Sequence, residues 1–168
     1  MTHPHLTHAD QLEWTRVERG NSFQASRKQL GAAAGGRQLG CSLIRLEPGK
    51  RAWPFHYHAA NEEAIYILEG TGTLRLGDKR VAVSRGDYIA LPADPNLPHQ
   101  LINTSEQVLE YLCMSTMIHP EVVGYPDSNK MGLGMGRAPG ELSEKASKFC
   151  FFPTEAEVDY WQGEDETL

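Results

Sequence analysis

Between Leu39 and Met117 the chain alternates short apolar-rich runs with turn residues. Residues 41–49, 62–72, 73–80, 81–94, 99–107 and 108–116 are rich in Val, Ile, Leu, Tyr and Thr, and Gly, Pro, Asn or Asp closes most of them. Short runs at this spacing predict an all-β barrel or sandwich. Gly70-Thr71-Gly72 and Gly77-Asp78 read as hairpin turns, where glycine supplies the positive φ that a tight connection needs. If Glu63 faces inward, period-2 alternation turns Ile65 and Ile67 to the same face and Tyr66 and Leu68 to the other.

The flanks read differently. Residues 1–22 are polar, and His3, His5 and His8 are read as part of a solvated end rather than a metal site. Leu12-Glu13-Trp14 hints at docking, and residues 24–40, with Arg27, Lys28 and the Ala32 to Gly36 run, read as a flexible loop. Residues 117–140 are rich in Gly and Pro and predict an irregular wrap; 140–148 predict a short helix. Gly132-Leu133-Gly134-Met135-Gly136 lacks the strand-then-helix context of a phosphate loop and reads as a flexible lid or arm. Phe149, Phe151, Phe152, Tyr160 and Trp161 are too apolar for a free tail and predict packing on the barrel or on a second copy. The expected organisation is a single domain: an N-terminal arm at 1–38 packing on the barrel, a barrel core at 39–117, and a C-terminal wrap and tail at 118–168.

Composition narrows the partners. A formal charge of −6 without a Lys/Arg stripe argues against nucleic acid. No basic start followed by an apolar run marks a signal peptide, and no apolar stretch reaches the ~20 residues of a membrane helix. Three cysteines, Cys41, Cys113 and Cys150, form no CxxC pair and predict reduced thiols in a cytoplasmic protein.

The strongest chemical signal is Phe55-His56-Tyr57-His58-Ala59-Ala60-Asn61-Glu62-Glu63. In a strand, His56 and His58 project to one face, and Tyr57 points away from them. Glu63 opens the next apolar run, and His99 follows the run at 86–92. Histidine pairs two apart are common by chance, but three imidazoles and a carboxylate converging inside a barrel call for a cation, because a buried lone carboxylate costs several kcal/mol.

These residues carry a resemblance to the cupin superfamily. Its first motif, Gly, HxH, a short gap, Glu, six residues and Gly, is similar to Gly49, His56, His58, Glu63 and Gly70. Its second, Gly, five residues, Pro, a turn, His, three residues and Asn, is similar to Gly86, Pro92, His99 and Asn103. Two departures stand out: the Gly49 to His56 gap is one residue longer than usual, and Asp94 stands where Gly is common, within a turn two residues longer. The spacing to Gly70 favours Glu63 over Glu62. The resemblance implies a double-stranded β-helix, or jelly-roll, barrel with an irregular N-terminal arm and C-terminal tail. It also implies one divalent ion (Mn, Fe, Ni, Co or Zn) on His56, His58, Glu63 and His99.

Such a ligand set leaves coordination positions open, as catalytic sites do. Cupins of similar size suggest a sugar or sugar-phosphate isomerase or epimerase acting on a small polar molecule. The alternatives are a cupin-type dioxygenase or decarboxylase, and a non-catalytic small-molecule binding module. Lys50, Arg51 and Arg75 are the candidate phosphate contacts, and Tyr88 or Tyr111 is a candidate acid or base if it faces the cavity. Strands that are apolar on both faces, as in 64–68 and 109–113, predict a homodimer.

Overall fold

The structure, a computed structural model, describes residues 3–135 and 148–164. Among the described residues there are thirteen strands: β1 (Thr15–Arg19), β2 (Phe23–Gln29), β3 (Leu39–Leu46), β4 (Tyr57–His58), β5 (Glu63–Glu69), β6 (Thr71–Leu76), β7 (Lys79–Ser84), β8 (Tyr88–Leu91), β9 (His99–Ile102), β10 (Leu109–Thr116), β11 (Glu121–Tyr125), β12 (Lys130–Met135) and β13 (Lys148–Pro153). One wall of the barrel is the antiparallel sheet β1-β2-β3-β10-β5-β8. The other is made of two smaller sheets, β13-β12-β11-β4 and β7-β6-β9, which meet where the main chains of His56 and His99 pair. This is the expected all-β jelly-roll barrel.

Alternation along the strands builds the core. Ile65 and Ile67 on β5 face inward with Ile44 and Leu46 on β3, and with Leu109 and Tyr111 on β10. Leu74, Val83 and Leu101 from the opposite wall complete the same cluster. Tyr66, on the outer face of β5, is exposed as the alternation requires.

The flanks are more regular than the sequence suggests. Residues 15–29, expected as a solvated end and a loop, form the β1–β2 hairpin that extends the larger sheet. Its pattern escapes hydrophobic reading because the inward row runs from Ala25 to Arg27, a buried charged side chain paired in register with Ile44. On the outer face Trp14 docks as a cation–π platform, with Lys28 Nζ 4.6 Å and the Arg45 guanidinium carbon 4.8 Å from its ring centre. His8 caps a 3-10 turn at Ala9–Gln11 through Nδ1. The Ala/Gly run begins as a single helical turn, Leu30–Ala33.

The expected irregular wrap after residue 117 is likewise a hairpin, β11 and β12, turned by Pro126–Ser128 and by Asn129 at φ 46°. Gly124 and Gly132 hid these strands, and each is a seat for an aromatic ring. A Cβ on Gly124 would lie inside the ring of Tyr57, and one on Gly132 would meet Phe149. Residues 132–135 are therefore strand, not a lid. The helix expected over 140–148 lies outside the described residues except for Lys148, which opens β13. Phe149 is half-buried against Phe151 at 4.9 Å between ring centres. Phe151, Phe152, Tyr160 and Trp161, expected to pack, are exposed on the single chain. No helix among the described residues is long and apolar enough to cross a membrane.

Candidate metal centre

Both walls of the barrel contribute to one cluster. His56 immediately precedes β4 and His58 ends it, His99 comes from the start of β9, and Glu63 from the start of β5 on the facing sheet. One potential ligand atom from each of these four residues lies within 4.8 Å of the other three. His99 Nε2 is 3.2 Å and His58 Nε2 3.5 Å from Glu63 Oε2. His56 Nδ1 is 2.8 Å from the carbonyl oxygen of Pro54, which accepts a hydrogen bond from Nδ1–H and leaves Nε2 with the free lone pair.

The pairing of main chains explains why the imidazoles converge. His56 N–H donates to His99 O at 3.1 Å and His99 N–H to His56 O at 2.7 Å, which brings the two rings to 4.5 Å between centres. His58 follows two residues along the same extended segment, on the same face. Across the barrel, Glu63 heads the inward row of β5 that continues as Ile65 and Ile67. Glu62 instead uses its N–H to bond Thr116 Oγ1 and leaves the ligand position to Glu63.

The donor chemistry fits a divalent cation. All three histidines are buried, and neither ring nitrogen of His58 has a hydrogen-bond partner. Burial and the neighbouring His99 lower the pKa of His56 to about 3. Burial would also lower that of His58, but the carboxylates of Glu121 and Glu63 outweigh it and raise the value to about 9. Burial pushes Glu63 toward its neutral form, yet His58 and His99 beside it hold its carboxyl well below the usual range. Without an ion the cluster thus holds the Glu63 carboxylate, a protonated His58 and a neutral His56, and an ion bound there would displace the His58 proton.

Beside the ligands is a cavity of ≈ 20 Å³, room for about one water, bordered by Trp53, Tyr111 and Cys113. Burial raises the Tyr111 phenol and the Cys113 thiol well above their ordinary values, so both stay protonated near neutral pH. Tyr111 therefore faces the site as a neutral donor, not as a base. Tyr88 does not reach it: period 2 along β8 buries Ile89 and Leu91 and leaves Tyr88 63% exposed.

Of the three candidate phosphate contacts, Arg75 and Lys50 make side-chain hydrogen bonds elsewhere, while Arg51 Nε is buried without one. Arg75 makes a two-pronged ion pair with Asp127 at 2.6 and 2.8 Å and lies 3.6 Å over the ring of Phe55. Lys50 Nζ donates to Asn21 O, and the Arg51 guanidinium lies over Phe23. Tyr57 points away from the cluster and covers Gly124, as the alternation requires.

Sequence reading missed Glu121, which is 1% exposed with Oε1 3.6 Å from His58 Nδ1. It also missed Asn61, fully buried in the turn between His58 and Glu63. Tyr125, whose ring stacks on His56 at 6.1 Å, is a third. The available signal was the alternation Glu121, Val123, Tyr125, legible only once β11 is recognised as a strand.

Residues 42–115 match the family described as the cupin domain. A sugar phosphate isomerase of the cupin superfamily from Silicibacter pomeroyi superposes with a TM-score of 0.74 at 25% identity, over 88% of this chain and 91% of that one. A protein assigned as a sugar phosphate isomerase from Acidithiobacillus ferrooxidans gives 0.69 at 29% identity, over 81% and 80%. The chain spans less than half the length of the curated relatives it matches. One of these is the quercetin 2,3-dioxygenase of Bacillus subtilis, 27% identical over 115 residues, which are 66% of this chain and 34% of that protein.

Proposed function

Because residues 42–115 form a cupin domain, we propose that this protein holds one divalent first-row metal ion on His56, His58, Glu63 and His99 and isomerises or epimerises a small polyhydroxylated substrate, a sugar or sugar phosphate. The observation that carries the metal reading is the convergence of three buried imidazoles and the Glu63 carboxylate, with neither ring nitrogen of His58 making a hydrogen bond. The likeness to two sugar phosphate isomerase structures supports the substrate class.

A bound ion would supply Lewis acidity to a carbonyl or a developing enediolate at its open positions. Around it, the chain's own groups divide the work. Pro54 O and the His99 main chain fix the His56 ring, Glu63 offsets the charge, and Tyr111 offers a neutral hydrogen-bond donor to a substrate oxygen. Trp53 and Ile65 keep the cavity apolar elsewhere, which strengthens each of these electrostatic contacts.

The likeness to quercetin 2,3-dioxygenase favours a second reading, oxygen-dependent chemistry at the same ligand set. Elemental analysis of wild type and His56→Ala tests the centre; anaerobic turnover of aldose and ketose phosphates, set against oxygen uptake with a flavonol, separates the two chemistries. Equal metal content in wild type and the variant would remove the metal reading.

The exposed Phe151, Phe152, Val158, Tyr160 and Trp161 support a homodimer, which sedimentation at micromolar concentration tests. Three unpaired cysteines support a reducing, cytoplasmic setting.

A further inference from the structure

Glu121 is buried like a core residue, although an ionised carboxylate in that position costs several kcal/mol unless it is paired and hydrogen-bonded. Its partners all lie on the segment joining two of the four metal-binding residues. Oε1 accepts from Ala59 N at 3.2 Å and from Ala60 N at 3.4 Å, and Oε2 accepts from Asn61 Nδ2. Asn61 is itself locked: Nδ2 also donates to Ile118 O at 2.8 Å, and Oδ1 accepts from Ile118 N at 2.7 Å and Thr116 Oγ1 at 3.1 Å. The same Glu121 Oε1 stands 3.6 Å from His58 Nδ1, a few tenths of an ångström beyond a hydrogen bond, and that nitrogen is sealed from solvent and bonds no other acceptor among the described residues.

An imidazole ligand presents one nitrogen to the ion, and the hydrogen bond at the other nitrogen decides which one. At His58 the geometry leaves a single arrangement: Nδ1 faces Glu121 and Nε2 faces Glu63. β11 enforces it, because Val123 pairs in register with His58 and places Glu121, two residues earlier, on the same face of the strand.

We propose that Glu121 is the positioning residue of the metal centre: it holds His58 as the Nδ1–H tautomer, aims the Nε2 lone pair at the ion, and sets a second negative charge behind the ring. The proposal rests on the metal reading above and adds to it a residue outside the 42–115 match. A carboxylate in this role makes imidazole a stronger donor than does a backbone carbonyl such as the one behind His56. A role confined to bracing the 59–62 turn would predict something different, namely that any loosening of the turn has the same effect.

The experiment compares the full chain with Glu121→Gln and Thr116→Val, using Zn²⁺ alone as the probe. Thr116→Val removes a donor to Asn61 and the acceptor for Glu62 N, but leaves the carboxylate in place. Calorimetric titration should show Glu121→Gln binding zinc roughly 10–100-fold more weakly, while Thr116→Val loses thermal stability and keeps wild-type affinity. Nitrogen-15 NMR of zinc-loaded wild type should show His58 protonated at Nδ1, with that resonance shifted in Glu121→Gln. Unchanged affinity in Glu121→Gln, parallel losses of affinity and stability in both variants, or a His58 that binds zinc through Nδ1 would overturn the role of Glu121. Wild type that binds no zinc would overturn the metal reading and this proposal together. Should Glu121→Gln fail to fold, the wild-type tautomer decides alone.

Discussion

His56 and His99 are each other's main-chain partners, exchanging N–H···O bonds of 3.1 and 2.7 Å at the seam between the two smaller sheets. The contact that joins the two halves of this wall is therefore also the contact that sets two imidazoles side by side. The join between the two smaller sheets and the placement of His56 and His99 thus share one main-chain pair, so a variant at either residue should be read for folding as well as for metal.

His56→Ala and His99→Ala should each abolish stoichiometric metal, since loss of a ligand exceeds the roughly 10–100-fold effect of an outer partner. The main-chain pairing survives either change, so the far-ultraviolet circular dichroism should match wild type. Metal content by plasma emission, with the spectrum beside it, checks both.

Metal affinity should depend on pH through His58. In the metal-free fold its pKa is raised to about 9 from an ordinary 6.5. A bound ion must displace that proton, so apparent affinity should climb by about tenfold per pH unit below pH 9 and level off above it. The stability of the metal-free protein should run the opposite way. A raised folded-state pKa stabilises fully below pH 6.5, and that contribution is lost as pH rises through about 9. Zinc titrations and urea melts across pH 6 to 9.5 would reveal both slopes; a flat affinity profile would contradict the protonated state.

Gly124→Ala should destabilise the protein by about 1–3 kcal/mol, because the new methyl enters the ring of Tyr57. Tyr57→Ala in the same chain should recover part of that loss. Denaturant unfolding of the single and double variants makes the comparison, and additive losses would mean the two residues do not share the space.

Tyr111 and Tyr88 should separate cleanly. Tyr88→Phe, at an exposed position, should change stability by no more than about 0.5 kcal/mol and leave turnover intact. Tyr111→Phe should keep the metal and slow turnover, because a neutral donor at the cavity is removed while the ring still fills its place. Ile67→Ala, fully buried beside Tyr111, should cost about 2–5 kcal/mol by the same denaturation measurement.

The central strands were readable because each carries its alternation in plain hydrophobic residues, as Ile65 and Ile67 do against Tyr66. The four clustered donors were readable because their spacing within 49–103 is distinctive. What escaped notice shares one physical cause: inward positions filled by something other than a hydrophobe. Arg27 broke the pattern of β2, and glycine at 124 and 132 erased that of β11 and β12, where the apolar bulk comes from rings on neighbouring strands. Glu121 could not be found before β11 was. Tyr88 was offered because tyrosine chemistry suits the site, and only its parity along β8 removes it.

The register of Val123 against His58 means that the ligands and the support behind them come from separate stretches of chain. A fragment cut to residues 42–115 would carry every donor atom of the cluster and none of β11. Grafting the histidine motif into another barrel would therefore transfer the grip on the ion without its brace. Any redesign of this centre has to treat the strand that follows the domain as part of it.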